Sequence, residues 1–256
     1  MLPALTALRV FILLAALPGT GQHLARLVKG AYVFWSGKKI AVIGPTASGK
    51  DSFIARLQGR QIPIRHATSP LGERVKSFDV RLALTRRQSV NITCKGVVNV
   101  GGDVEYRDDP SGWLSVCKGA DVIFYVMTVQ DLVEKRFMAK GRVRSDLEWL
   151  QAALPQLDEN ALVHVLINKI DEEIATHTRY EPFAMELAKE LRALDRTAKR
   201  VLKPYEDRYT GATLISMKNK SMYTLAIHRA FRAVYSAFHE HESPNASSVQ
   251  AIGAVT

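Results

Sequence analysis

Residues 44–53 read GPTASGKDSF, and no other stretch of the chain restricts its fold as strongly. It follows the short apolar run Lys39–Ile43 (KIAVI) and precedes DSFIARLQ, in which Phe53, Ile54 and Leu57 fall on one side of a helix. The order is therefore strand, glycine-rich loop, helix. In that order the loop's backbone N–H groups and the helix N-terminus point at one place and make an anion site. The spacing follows the phosphate-loop pattern G-x-x-x-x-G-K-[ST] except at its last position. Gly44, Ser48 and Gly49 line the expected anion site, and Lys50 is placed to reach β- and γ-phosphates. The hydroxyl that the pattern asks for, an Mg²⁺ ligand, is replaced by Asp51. A chance glycine turn is the alternative reading.

The rest of the chain agrees with an α/β fold. After residue 37 strands and helices alternate, with no internal repeat, and 256 residues with 47% apolar content suit one domain with extensions. Residues 121–127 (DVIFYVM) and 161–167 (ALVHVLI) are continuous apolar runs, as expected of parallel strands covered on both faces. Alternation over residues 78–84, a polar turn at 85–88 and residues 90–100 predict a hairpin. Helices are expected at 144–154, 182–203 and 222–239, and a strand at 212–215. These elements delimit a nucleotide domain over residues 37–241. Residues 242–256 (ESPNASSVQAIGAVT) are mostly small or polar with little to bury, and a mobile tail is expected there.

The first 36 residues form a hydrophobic extension. Residues 2–17 (LPALTALRVFILLAAL) are apolar on almost every side of a helix but short of the roughly 20 residues a bilayer asks for. Three readings stand: a short or tilted anchor, a cleaved signal peptide, or a helix buried against a partner. Residues 21–35 carry Arg26 and Lys29 and end in aromatics, a composition that suits a membrane interface. Arg26, Lys29, Lys38 and Lys39 would place the C-terminal side in the cytoplasm, at the face of a membrane met through residues 1–35. The net charge of +10 points to an acidic partner. No aromatic RNP strand or zinc finger accompanies it, so a nucleic-acid partner is not expected. Cys94 and Cys117 form no C-x-x-C pair, which fits a reducing cytosol.

Two further motifs sit at strand ends, where open α/β sheets bind ligands. Asn168-Lys169-Ile170-Asp171 follows the second apolar run. A carboxylate there can accept hydrogen bonds from both N1–H and the 2-amino group of guanine, a donor pair that adenine lacks. Read blandly, Asp171 only caps a helix start. Ser216-Met217-Lys218 ends the next strand and can wall the other side of a base, its backbone N–H groups facing O6.

With these in order, the chain resembles the Ras-like small GTPases over roughly residues 39–238, and the Arf branch in particular. The third motif carries the closer likeness: Val97-Val98-Asn99-Val100-Gly101-Gly102-Asp103 is similar to the switch II entry D-V-G-G-Q after an apolar strand. The resemblance implies a three-layer P-loop NTPase fold of the small G-protein kind, with a mostly parallel six-stranded sheet. It also implies GTP and GDP with Mg²⁺ as ligands, a backbone N–H from Gly102 to the γ-phosphate, and Ser52 at the α-phosphate. Membrane-anchored Arf-like GTPases, such as the signal-recognition-particle receptor's β subunit, share the layout. The family's metal-holding Asp is Asn99 here, and its water-orienting Gln is Asp103. Because Asp51 has replaced the hydroxyl while Asn99 has replaced the carboxylate, the local count of negative charge is unchanged, and the metal site reads as swapped. Switch I falls in residues 60–75, with Thr68 as the threonine that senses γ-phosphate and metal. Arg65, three residues before it, has the spacing of a built-in arginine finger. The expected function is a nucleotide-dependent switch with slow GTP hydrolysis and a protein effector or regulator. The alternative is a non-hydrolysing pseudo-GTPase acting as an interaction module.

Overall fold

The computed structural model describes residues 37–62, 74–75, 78–83, 89–94, 96–99, 101–133, 137–176 and 180–242. Residues 1–36, Arg65, Thr68 and residues 243–256 lie outside the described residues. So does everything expected of them.

Strand β1 (Lys39–Ile43) runs into helix α1 (Lys50–Leu57) through the glycine loop. Strands β2 (Arg74–Val75), β3 (Phe78–Ala83), β4 (Ser89–Cys94) and β5 (Gly96–Asn99) follow. A short helix α2 (Val104–Asp108), a wide turn at Pro110–Leu114 and a single turn α3 (Ser115–Cys117) lead to β6 (Val122–Thr128). Then come α4 (Val129–Val133), α5 (Phe137–Ala153), β7 (Leu162–Asn168), α6 (Ile170–Thr176), α7 (Tyr180–Val201), β8 (Tyr209–Leu214) and α8 (Lys220–Glu242).

The main sheet has the order β2-β5-β1-β6-β7-β8. Strands β5, β1, β6, β7 and β8 pair in parallel, and only the two-residue β2 is antiparallel. β3 and β4 form the expected hairpin. Its register continues that of the sheet edge: Arg74 faces Val98 and Phe78 faces Cys94, so one strand advances by as many residues as the other retreats.

Burial on both faces explains the unbroken apolar strands. β6 and β7 are buried at every position. Neighbouring residues of β6 point to opposite faces. Phe124 meets Phe53 of α1 and Phe231 of α8, while Tyr125 meets Trp113, which in turn packs edge-on against Trp149 of α5. Helices thus cover both sides of the sheet. Full burial of a ring such as Phe124 stabilises the fold by about 2 to 3 kcal/mol.

The stretch expected as one hairpin arm over 90–100 divides into β4, in the hairpin, and β5, in the main sheet, and among the other boundaries that differ from expectation two turn on a glycine. The helix expected at 144–154 begins at Phe137, because it continues through Gly141. A glycine in a helix costs about 1 kcal/mol against alanine, and here the burial of Val143, Leu147 and Leu150 on the same helix outweighs it. The strand expected at 212–215 begins at Tyr209. Gly211, at φ 104°, sits where the pairing with β7 shifts register between Val163 and Val165, a bulge that breaks the alternation a sequence reader relies on.

Candidate functional site

All three sequence motifs lie at the C-terminal ends of the parallel strands. The loop that leaves β1 closes tightly on the loop that leaves β7. Gly49 has φ 98°, and a Cβ there would lie 2.2 Å from Asn168 Nδ2, so only glycine fits. Ala47 (φ 60°) and Lys169 (φ 67°) are the non-glycine residues with positive φ among those described. Each conformation costs on the order of 1 kcal/mol or more, and such strain collects where a backbone is shaped for a ligand. One falls in the glycine loop, the other in the Asn-Lys-x-Asp motif.

Asn168 ties the motifs together. It is 3% exposed. Its Nδ2 donates to the Ser48 carbonyl at 2.9 Å and its Oδ1 accepts from the Met217 N–H at 3.1 Å. One side chain thus joins the glycine loop to the Ser216-Met217-Lys218 turn. Arg56 of α1 fastens the same turn from the other side, donating through Nε to the Met217 carbonyl at 2.8 Å and through a terminal nitrogen to Lys218 at 2.9 Å. The Ser216 hydroxyl accepts from the Asn219 N–H at 2.9 Å. The Met217 N–H is therefore engaged by Asn168, and a base oxygen meeting this turn competes with that bond. Asp171 stands in the first turn of α6, partly exposed, beside Glu172, which pairs with Lys218.

Lys50 is the electrostatic centre of the loop. It is 7% exposed, and its Nζ donates to the Gly44 and Pro45 carbonyls at 2.9 Å each. Among the described residues no carboxylate lies in ion-pair contact with it. Burial pushes its pKa down from 10.5 to about 8, against weaker opposing pulls from Asp51 and Asp103. A buried ammonium held by neutral carbonyls has one donor left for an anion. Among the described residues the Ser48 hydroxyl, 1% exposed, has no hydrogen-bond partner.

This arrangement has a sign that can be measured. The folded pKa lies below the unfolded value, so the unfolded chain binds the proton more readily. Charged Lys50 therefore opposes folding below about pH 8 by about 3 kcal/mol, and stability recovers as pH rises from 8 through 10.5. Lys50→Met removes the buried charge and two hydrogen bonds. We expect it to stabilise the ligand-free protein by about 1 kcal/mol at pH 7 in urea titrations, to flatten the rise above pH 8, and to abolish phosphate binding. Destabilisation at pH 7 would mark Lys50 as a structural pin.

The segment 101–103 closes the opposite wall. Gly102 packs directly on the glycine loop: a Cβ on it would lie 2.2 Å from the Thr46 nitrogen. The Thr46 hydroxyl donates to Asp103 Oδ1 at 2.6 Å. Trp113 Nε1 donates to the Gly101 carbonyl and Arg142 to that of Gly102, both at 2.9 Å. Behind them Asp146, fully buried, accepts from Arg142 (2.8 Å), Arg107 (2.9 Å) and the Tyr125 hydroxyl (2.9 Å). Thr46, Arg56, Trp113, Arg142 and Asp146 carry no sequence signal of their own. A charged residue in a helix reads as solvated until its partners are known.

The remaining expected residues are placed as follows. Asp51 and Ser52 occupy the first turn of α1, both partly buried. Asn99 ends β5 opposite Val42 of β1, one strand from the glycine loop. Arg65 and Thr68 are outside the described residues. Among the described residues no group of three or more His, Cys, Asp or Glu side chains is arranged to hold a metal ion. No described helix is long and apolar enough to cross a membrane. Compared with known proteins, the chain matches no protein-family model and no curated protein.

Proposed function

We propose that this chain is a guanine-nucleotide-binding protein of the small GTPase type, with a three-layer P-loop NTPase fold and a six-stranded sheet. The observation that carries the reading is the Asn168 bridge: one buried amide holds a phosphate-type loop and a base-type turn in a fixed relation, as a nucleotide with a base at one end and phosphates at the other requires. The buried lysine in the loop, whose positive charge is held by neutral carbonyls, supports it.

In this reading the loop from Gly44 to Gly49 cradles the phosphates, Lys50 supplies positive charge, and Ser52 meets the α-phosphate. Asp171 accepts the two guanine donors, with Lys169 and the Ser216-Met217-Lys218 turn flanking the ring. Asp51 and Asn99 would hold Mg²⁺, which neutralises phosphate charge when bound, and Thr68 would complete the set from switch I. Gly102 N–H faces the γ-phosphate. Asp103 lacks the amide donor of a glutamine and is engaged by Thr46, so hydrolysis is slow, on the order of 10⁻⁴ per second or below without assistance. Arg65 is the proposed cis arginine finger. A protein effector or regulator would read the state of residues 101–103, and residues 1–35 would hold the domain at the cytoplasmic face of a membrane.

One observation favours a second reading, a non-hydrolysing interaction module. The Thr46–Asp103 bond holds the segment 101–103 against the loop through the chain's own side chains. Single-turnover hydrolysis of GTP by the protein and by Asp103→Gln separates the two. The switch predicts slow turnover that the glutamine raises; no turnover in either protein selects the module.

The swapped metal pair has its own test. Asp51→Ser removes the only carboxylate of the pair, and Asn99→Asp alone crowds a second one against the metal. Sharing one ion couples the sites, so the double change should bind Mg²⁺-GTP better than the singles predict by about 0.5 to 3 kcal/mol. Titrating Mg²⁺ against bound GTP in the four proteins measures this term. Strict additivity would mean that Asp51 and Asn99 do not share a metal.

A further inference from the structure

Helix α7 carries a stripe of basic residues that the nucleotide site does not use. Lys189, Arg192, Arg196, Lys199 and Arg200 are all exposed, and at roughly 100° per residue they fall within about a third of the helix circumference. Exposed Lys203 follows in the turn after the helix. Phe183, Leu187, Leu194 and Ala198 occupy the opposite side and are buried. Lys199 pairs with Asp195, while among the described residues no carboxylate pairs with Lys189, Arg192, Arg196, Arg200 or Lys203. Glu186 and Glu190 lie to one side of the stripe and Asp195 to the other. Between Lys189 and Arg200 the stripe runs roughly 16 Å along the axis.

Topology places this stripe. Strands β1, β6, β7 and β8 are parallel, so Lys39, Val122, Leu162 and Tyr209 all start from one edge of the sheet, and the candidate site lies at the other. α7 ends at Val201, and a short turn over Lys203–Arg208 delivers the chain to Tyr209. The most basic end of α7 is therefore at the edge where the chain enters β1 from residues 1–36. Exposed Lys39, which opens β1, and exposed Lys118, which precedes β6, stand on that edge too.

We infer that the basic face of α7 and this edge of the sheet form a docking surface for an anionic phospholipid bilayer. The chemistry favours lipid over other acidic partners. Among the residues whose burial is described the stripe carries no exposed aromatic ring on which a base could stack, and single-stranded nucleic acids are held by such platforms. Protein interfaces centre on apolar or aromatic anchors and are poor in lysine. Here the large apolar side chain on the same face, Met185 at 75% exposure, stands at one end. A row of exposed cations along one helix face, of which only Lys199 has a carboxylate partner among the described residues, fits a diffuse negative plane, and the net charge of +10 adds to the attraction. Docking by this edge leaves the candidate nucleotide site facing away from the membrane. The inference does not rest on nucleotide binding.

The test is vesicle cosedimentation of the full chain with phosphatidylcholine alone and with phosphatidylserine added. A basic residue near an anionic surface contributes roughly a five-fold factor in binding. Replacing Lys189, Arg192, Arg196, Arg200 and Lys203 by Gln should weaken binding to the serine-containing vesicles by about 100-fold or more and leave any binding to phosphatidylcholine unchanged. Raising salt from about 0.1 to 1 M, which shortens the screening length from roughly 10 to 3 Å, should have the same direction of effect. Arg192→Lys, Arg196→Lys and Arg200→Lys together keep the charge and should keep binding within about two-fold, because a diffuse field does not need a guanidinium fork. Equal binding of the Gln variant and the unaltered protein to phosphatidylserine vesicles would overturn the inference. So would loss of binding in the Lys variant, or a basic face that retains single-stranded RNA while vesicles stay in solution.

Discussion

Asp171→Asn should turn a guanine site into a xanthine site. Asp171 sits in the first turn of α6, next to Asn168 and Lys169 at the end of β7. In the proposed function a carboxylate there would accept from N1–H and the 2-amino group of guanine. The amide would face that donor pair with a donor of its own, leaving a buried polar group unpaired at about 1 to 3 kcal/mol for each lost partner. GTP and GDP affinity should fall by roughly 100- to 1,000-fold, and xanthosine nucleotides, whose 2-oxo group accepts what an amide donates, should recover most of the loss. Competition binding with the two nucleotide families measures both arms. Unchanged GTP affinity would leave Asp171 as the cap of a helix.

Asn168→Ala should have an effect of comparable size for a different reason. Asn168 touches no part of a base or phosphate in this reading; it positions what does. Alanine strands the buried Ser48 carbonyl and frees the Met217 N–H, which together cost about 2 to 6 kcal/mol of stability. The loop and the base turn then lose their fixed relation. GTP and GDP affinity should drop together by at least 10-fold, with no change in the preference for guanine over adenine, since Asp171 is intact. Arg56→Ala is the comparison: it loosens the same turn from the α1 side without touching the glycine loop, and its effect on affinity should be smaller. If Asn168→Ala lowers the urea midpoint while GTP affinity stays within about two-fold, the bridge is structural only.

These expectations show what the sequence conveyed and where it stopped. The strand, loop and helix around Lys50 were legible because glycine spacing and an apolar run are local signals. The α/β class followed from two runs apolar at every position, 121–127 and 161–167, now seen as strands buried on both faces. The hairpin at Phe78–Ala83 and Ser89–Cys94 was legible from alternation. The bulge at Gly211 and the passage of α5 through Gly141 were not, since a lone glycine weakens both patterns and only packing decides. Within the site, the motif residues could be picked out one by one, but their connections could not. Thr46 meeting Asp103, Arg56 holding Met217, and Asp146 buried beneath two arginines all depend on segments far apart in the chain. Asp103 stands out in the sequence for the glutamine it replaces; its engagement by a threonine in the glycine loop is a fact of the fold.

The most direct measurement is calorimetric titration of the full-length protein, stripped of any bound nucleotide, with GTP, GDP and ATP in the presence of Mg²⁺. GTP and GDP should bind with dissociation constants of about 1 μM or tighter and ATP at least 100-fold more weakly, the difference supplied by Asp171. Equal affinity for ATP and GTP, or no binding by either guanine nucleotide, would contradict the proposed function.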